Sequence, residues 1–378
     1  MSIERYTGLD PEIMANDLQP LQRRSLTPDL FMDFIAWVDG SDATTRSYIT
    51  NLKQFAAWLA YTGIVAPTRA DLISYRDWLQ SEHDAIQIDD DAPQGWSYRI
   101  DKRTGKPQRI TCKAGTVNQY LRSAKQFFKW TSAAGLYENI GQNVKGPKTN
   151  ADDYKRDALE AADVLTIENS IKERAQEKAA SASAASKDAA GKTQRAGEQG
   201  KRLLAMYLLA TQNGLRTVEL HRANVKDFQT VKGQSWLNVW GKGHTEADQR
   251  IPLAAEVADA IRDYLASRND EPTGSSPLFV STGNRSKGQR IATTTISTML
   301  KGAMKAAGYD SDRLTAHSLR HTAGTAALDV SGANIYKAQH YLRHKNPETT
   351  ERYTHRNHDK DNAEMAQLIY SYTHKAAQ

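Results

Sequence analysis

Cysteine is all but missing: Cys112 stands alone in 378 residues, so no internal disulfide can form, and nothing in the chain is adapted to an oxidising compartment. Long apolar runs are missing too. The longest, Leu203 to Ala210, falls far short of the roughly 20 residues a membrane-spanning helix needs. The opening MSIERYTGLD has no apolar core of the kind a secretory signal carries. These absences lead to the expectation of a cytoplasmic protein with no membrane partner. A strong charge of one sign is lacking as well. Lys plus Arg number 50 against 44 Asp plus Glu, a net charge of +6 that many proteins without a nucleic-acid partner share. What is present is ordinary for a globular chain, with 39% hydrophobic and 25% charged residues and length for two or three domains.

Residues 1–26 are polar without a sustained period and read as a flexible N-terminal segment. From Thr27 the pattern turns helical, with helices expected over about 28–38 and 43–61. Tyr48, Leu52, Phe55 and Leu59 step by four, three and four along one face of the second. Thr68 and Asp71 form a capping-box pattern opening a third helix to about Leu79. The polar stretch 81–113 reads as a hairpin-like excursion around Lys106-Pro107. A fourth helix over about 115–134 buries Val117, Leu121, Ala124 and Phe128. Arg122, Lys125 and Lys129 share another of its faces, either a solvated surface or a stripe that neutralises phosphates. With Arg46 and Lys53 of the second helix they are the candidate DNA contacts. Gly146-Pro147 and the aperiodic residues around it mark a linker. The plan is therefore a segment 1–26, a helical domain 27–145, a linker 146–157 and a second domain 158–378.

The second domain opens with a helix over about 162–177 that runs into an Ala, Ser and Lys-rich tract, 178–201. With almost no large apolar residue, the tract is expected to be an exposed helical extension or a loose loop. An apolar helix, Arg202 to Gln212, ends at Asn213-Gly214. Residues 228–231, 235–240 and 249–253 read as short strands, and from Ala254 the chain is expected to be mostly helical. The fold class is mainly α with a small antiparallel β-sheet.

Four segments carry the chemistry: NGLRTVEL with Arg216 and Glu219, WGKGHTEADQRIPL with Lys242, AHSLRHTAGTAAL with His317, Arg320 and His321, and YLRHKNPETTERYTH with His344 and Tyr353. Each has an ordinary reading on its own. Arg216 could simply pair with Glu219 at a helix end, Lys242 could sit solvated in a turn, and the histidines and Tyr353 could be structural. A zinc site on His317 and His321, or on His340 and His344, lacks the Glu that follows the first His of a zincin helix.

The ordered set of two Arg, one Lys, two His and one Tyr resembles the tyrosine recombinase family of phage integrases and chromosome-dimer resolvases. That family has an Arg in G-L-R-x-x-E-L, a Lys in a G-K-G turn before an Arg-hydrophobic-Pro-Leu strand, and H-x-L-R-H on a helix. It ends in L-G-H with a Tyr nine residues beyond that His. The matching positions are Arg216, Lys242, His317, Arg320, His344 and Tyr353, and the resemblance covers about residues 27 to 374. It departs from the pattern at Arg343, where the family has Gly, and in a long loop after Lys242. The resemblance implies a helical core-binding domain followed by a tyrosine-recombinase catalytic domain. Arg216 and Arg320 would clamp the phosphate, because guanidinium groups stay charged and bind oxyanions bidentately. Tyr353, with an ordinary pKa near 10, needs a base to become a nucleophile, and the resemblance gives that role to His317. Lys242 would protonate the 5′-hydroxyl leaving group and His344 would donate to the phosphate. Glu219 and His321 would support them. No cofactor or metal is expected. The implied partners are double-stranded DNA with specific recombination sites and three further copies in a homotetramer. The copies would exchange C-terminal helices through the amphipathic face of Met365, Leu368, Ile369 and Tyr372. The implied setting is nucleoid-associated, with accessory DNA-bending or directionality proteins an open class. The alternatives are a type IB topoisomerase and a DNA-binding regulator that no longer cuts.

Overall fold

The computed structural model describes residues 26–149, 158–184, 189–240, 246–283, 286–332 and 334–343. The expected segment 1–26 lies outside them but for Leu26, as do Lys242, His344, Tyr353 and the C-terminal apolar face. The chain divides into two compact units, Met1–Asp153 and Tyr154–Gln378. Among the described residues no helix is long and apolar enough to cross a membrane.

Among the described residues the first unit is built on four helices: α1 (Pro28–Trp37), α2 (Asp42–Thr62), α3 (Arg69–Gln80) and α4 (Ala114–Ala133). Pro28 opens α1 where its missing N–H costs nothing. Thr68 caps α3, its hydroxyl accepting from Asp71 N–H while the Asp71 carboxylate takes the Thr68 N–H at 2.7 Å. Leu52, Phe55 and Leu59 of α2 and Val117, Leu121, Ala124 and Phe128 of α4 are buried, and Tyr48 is half-buried against them. The core is aromatic: Phe31 stacks on Phe127 at 4.6 Å and Phe55 meets Phe128 edge-on at 5.9 Å. A buried Asn51–Ser123 hydrogen bond of 2.9 Å ties α2 to α4.

The excursion between α3 and α4 is a three-way β junction rather than one hairpin. Strand β1 (His83–Asp84) pairs with β4 (Arg109–Ile110), and β2 (Ile86–Ile88) with β3 (Trp96–Tyr98), both antiparallel. A third pairing, Ile100 with Pro107, closes a turn at 101–106. The three pairings meet at a cycle of 2.8 Å backbone bonds, Arg99 to Ala85, Ala85 to Gln108 and Gln108 to Arg99. Residues 141–147, where a linker is expected from Gly146, still lie along the first unit. Asn118 donates to Pro147 O at 3.0 Å, Arg76 to Lys145 O at 3.1 Å and Lys125 to Val144 O at 2.9 Å.

The second unit begins with α5 (Ala161–Ala184) and α6 (Ala189–Gln212). They run antiparallel, since Thr193 reaches Ala179, Gly200 faces Ala175, and Tyr207 donates to Val164 O. The described part of the tract 178–201 is therefore helical, not a loose loop. It is not wholly an exposed extension either, because Glu198 is buried. Small residues do the packing: a Cβ on Gly200 would come within 2.3 Å of the Ala175 Cβ. After α7 (Thr217–Arg222) and a 3-10 turn (Val225–Asp227), strands β5 (Phe228–Val231), β6 (Gln234–Val239) and β7 (Gln249–Leu253) form an antiparallel sheet in that order. Helices α8 (Ala255–Ser267), α9 (Thr293–Ala306), α10 (Ala316–Val330) and α11 (Ile335–Leu342) follow. After Ala254 the described chain is mostly helical, as expected, with a non-helical segment between α8 and α9. There, isolated pairings join Asn224 to Pro277 and Val280 to Arg290. The core gathers Ile167 and Ile171 of α5, Met206 and Leu209 of α6, Leu237 and Ile251 of the sheet, and Ile261, Leu300 and Leu319 of later helices.

Candidate active site

Asn213 and Gly214 end α6, and glycine is favoured at 214 on two counts. Its φ is +62°, and a Cβ would sit 2.7 Å from Leu342 Cδ2. This close approach brings the end of α6 against α10 and the end of α11, and it aims Arg216 at the start of α7. The Arg216 N–H donates to Glu219 Oε2 at 2.9 Å and its Nη1 to Oε1 at 2.7 Å. Glu219 is 1% exposed, whereas the Arg216 side chain is 28% exposed and keeps access to solvent.

Arg320 reaches the same carboxylate from α10. It is 1% exposed; Nη1 donates to Gly214 O, Nη2 donates to Leu342 O, and Nη1 lies 3.9 Å from Glu219 Oε2. One planar guanidinium thus fastens the α6 end to the α11 end and approaches Glu219. Arg343, which sequence reasoning noted only as an added charge, completes the group. It caps α11 with φ +57°, a conformation that explains why glycine suits this place. Its side chain turns inward: Nη2 meets Glu219 Oε2 at 3.2 Å, and Nη1 donates to Tyr341 O at 3.2 Å. Burial alone would raise the Glu219 carboxyl. The charge of Arg343, the Arg216 N–H and the charges of Arg216 and Arg320 outweigh it and hold the group below its ordinary value. Three guanidinium groups therefore share one ionised carboxylate.

His317 is exposed on the first turn of α10, and its ring meets that of His321 edge-on at 4.9 Å. It lines a groove together with Arg216, Thr217, Thr315, Lys301 and Lys305. Arg216, Arg320, Glu219, His317 and His321 are thus gathered at the junction of α6, α7, α10 and α11. Lys242 falls in 241–245, outside the described residues. The flanking strands β6 and β7 are paired up to Val239 and Gln249. His344 and Tyr353 follow α11 and also lie outside. Asn213, which sequence reasoning passed over, holds the sheet to the site by donating to Pro252 O at 3.0 Å. Its position within NGLR was the available signal. Among the described residues no three His, Cys, Asp or Glu side chains cluster to hold a metal ion.

In the first unit Arg122 and Lys129 are exposed on α4 and line a groove with Asn139, Gln142 and Asn143. Lys125 lines it too, but its ammonium is bonded to Val144 O and clips the 139–146 segment to the helix. Arg46 and Lys53 are exposed on α2.

Residues 186–360 match the model of the phage integrase family. A tyrosine recombinase of Synechococcus elongatus is 34% identical over 158 residues, 41% of this chain and 47% of that protein. The match thus spans about half the length of such curated relatives. The tyrosine recombinase XerC of Vibrio campbellii is 27% identical over 346 residues, 90% of this chain and 89% of the other. The fold is similar to that of the XerH site-specific recombinase bound to palindromic difH substrate in a post-cleavage complex. The TM-score is 0.60 at 16% identity, covering 87% of this chain and 80% of that one. Over residues 186–360 the chain thus carries a domain of the phage integrase family, and it is similar to tyrosine recombinases along most of its length.

Proposed function

We propose that this chain is a site-specific DNA recombinase that cuts and rejoins duplex DNA through a 3′-phosphotyrosine at Tyr353. The observation that carries the reading is the convergence of Arg216 and Arg320 on the buried Glu219 carboxylate, beside a groove that holds His317. Arg216, 28% exposed beside that groove, suits a phosphodiester whose negative charge grows in the transition state, and the buried Arg320 adds its charge from behind it. Carboxylate pairing holds them in place before substrate arrives.

The Tyr353 oxygen forms a bond to phosphorus as the bond to the 5′ oxygen breaks. His317 takes the phenolic proton, and Lys242 gives a proton to the departing 5′ oxygen. His344 donates to a phosphate oxygen. Rejoining is the same displacement run backwards with a 5′-hydroxyl from the other duplex, passing through a Holliday junction. One phosphoester replaces another at each step, so no ATP is consumed. The chain's own cations, Arg216, Arg320 and Lys242, meet the charge.

On this reading 27–145 is a core-binding domain that grips DNA through Arg46, Lys53, Arg122 and Lys129, with residues after it a linker into the catalytic domain. Four copies act on two sites, exchanging C-terminal helices, to integrate, excise or invert a mobile element, with or without DNA-bending or directionality proteins. Incubating the chain with a supercoiled plasmid bearing two copies of a candidate site, in chelator and without ATP, tests the reading. Recombinant circles are expected. Relaxed plasmid alone would point to a type IB-like topoisomerase, and an unaltered plasmid that is nonetheless bound would point to a non-cutting regulator.

A further inference from the structure

The three-way β junction of the first unit has two arms that differ in packing and charge. The arm of β2 and β3 lies on the helical core: Ile86 is buried, Ile88 and Trp96 pack beside it, and the Trp96 ring meets Tyr61 edge-on at 4.9 Å. Its loop carries Asp89, Asp90 and Asp91. The other arm, 99–108, contributes nothing to the core, and Ile100 within it is 50% exposed. A two-stranded hairpin without packing is marginal in water, yet this one is held rigid. Asp101 N–H donates to Lys106 O at 2.9 Å, and Asp101 O accepts from Gly105 N–H at 2.8 Å. The Asp101 carboxylate accepts the Arg103 N–H at 2.8 Å. Gly105 supplies the positive φ of +67° that closes the turn.

Lys102, Arg103 and Lys106 all project from this turn exposed, and none has an acidic partner among the described residues. The cation at the arm's base, Arg109, is different: it pairs with Glu82 at 3.1 Å and Asp84 at 3.4 Å. A protein-binding hot spot needs apolar or aromatic anchors at its centre, and residues 101–106 contain none before Pro107. Uncompensated cations on a rigid backbone suit a regular polyanion.

We propose that the 99–108 arm is a second DNA-contact element of the first unit, whose Lys102, Arg103 and Lys106 seat on the phosphate backbone of duplex DNA. This rests on the reading of the chain as a duplex-binding recombinase. The contact is independent of base sequence, and the acidic loop of the other arm points the module to DNA by one tip only.

The test is fluorescence anisotropy of the full chain on a labelled duplex carrying a candidate site, repeated across a salt series. It compares wild type with the Lys102→Ala, Arg103→Ala, Lys106→Ala triple variant, with circular dichroism showing that the exposed changes leave the fold intact. Each lost phosphate contact lowers the slope of log affinity against log salt by about 0.9. The variant is expected to lose between about 1 and 3 units of slope, and to lose affinity equally on duplexes of different sequence. An unchanged slope would overturn the inference. If that variant also fails to assemble on DNA by sedimentation, the tip instead meets a second copy of the chain, which equally overturns it. A wild type that binds no duplex would bring down the recombinase reading and this inference together. The failure of one is read in the wild type, and the failure of the other only in the variant.

Discussion

Glu219 sits among Arg216, Arg320 and Arg343, and the cost of removing it follows from burial. Glu219→Gln takes from Arg343, 8% exposed, the carboxylate charge it meets at 3.2 Å. Breaking a buried pair in this way costs about 3–5 kcal/mol, which denaturant unfolding of the variant would measure. The pH dependence has a definite sign. The Glu219 carboxyl is depressed in the folded state, so its contribution is complete above the ordinary Glu value of about 4.3 and fades as pH falls through the lower folded value. The gap between wild type and Glu219→Gln is therefore expected to stay level from neutral pH to about 5 and to narrow only below about 4. Arg343 separates a backbone effect from a charge effect. Its φ of +57° is strained for any residue with a Cβ. Arg343→Gly and Arg343→Ala both lose the ion pair, but the glycine variant should be the more stable by about 1 kcal/mol. Equal stabilities in thermal melts would mean that the turn relaxes out of the left-handed region.

At the scale of elements, the crossing of α5 and α6 depends on smallness. Gly200→Ala would place a Cβ 2.3 Å from that of Ala175 and 3.3 Å from its Cα, so the helices must separate. A cost of about 1–3 kcal/mol is expected. Adding Ala175→Gly should recover part of it, and a double-mutant cycle with no coupling would contradict the contact. The sequence shows these elements unevenly. α2, α3, α4 and the sheet β5–β7 are legible because local signals agree: apolar spacing of four, three and four, a Thr68–Asp71 box, and short strand-like runs at 228–231, 235–240 and 249–253. The burial within the tract 178–201 is hidden because apolar size is the usual sign of a core, whereas this stretch packs through Gly200 and through polar groups such as Arg195, whose guanidinium donates to Thr282 O. Of the three-way β junction only the arm around Lys106-Pro107 is legible as a hairpin; the other two pairings join strands of two and three residues, too short to carry a pattern. The convergence on Glu219 was half visible. Arg216 and Glu219 are three residues apart, but nothing local ties them to Arg320, and Arg343 shows only as a residue with a Cβ where the turn favours none.

For the whole molecule, the reading requires two units that serve one reaction: exposed cations of the first hold duplex DNA, and the arginine cluster of the second receives one phosphate. The chain's net charge of +6 is too small to attract DNA by itself, so binding must come from local clusters and should weaken steeply with salt. Within the α4 groove, Lys129→Ala should flatten that salt dependence, whereas Lys125→Ala should act mainly on stability, since Lys125 already bonds Val144 O at 2.9 Å. Anisotropy across a salt series and a thermal melt of each variant separate the two effects. The covalent step itself is decided by trapping. The chain is incubated in chelator, without ATP, with duplexes nicked beside each candidate cleavage position. The products are denatured, and the DNA-linked peptide is sequenced by mass spectrometry. The expected result is an adduct on Tyr353 that Tyr353→Phe abolishes. An adduct that survives Tyr353→Phe, or none on any duplex the chain binds, would contradict the assignment of Tyr353 as the nucleophile.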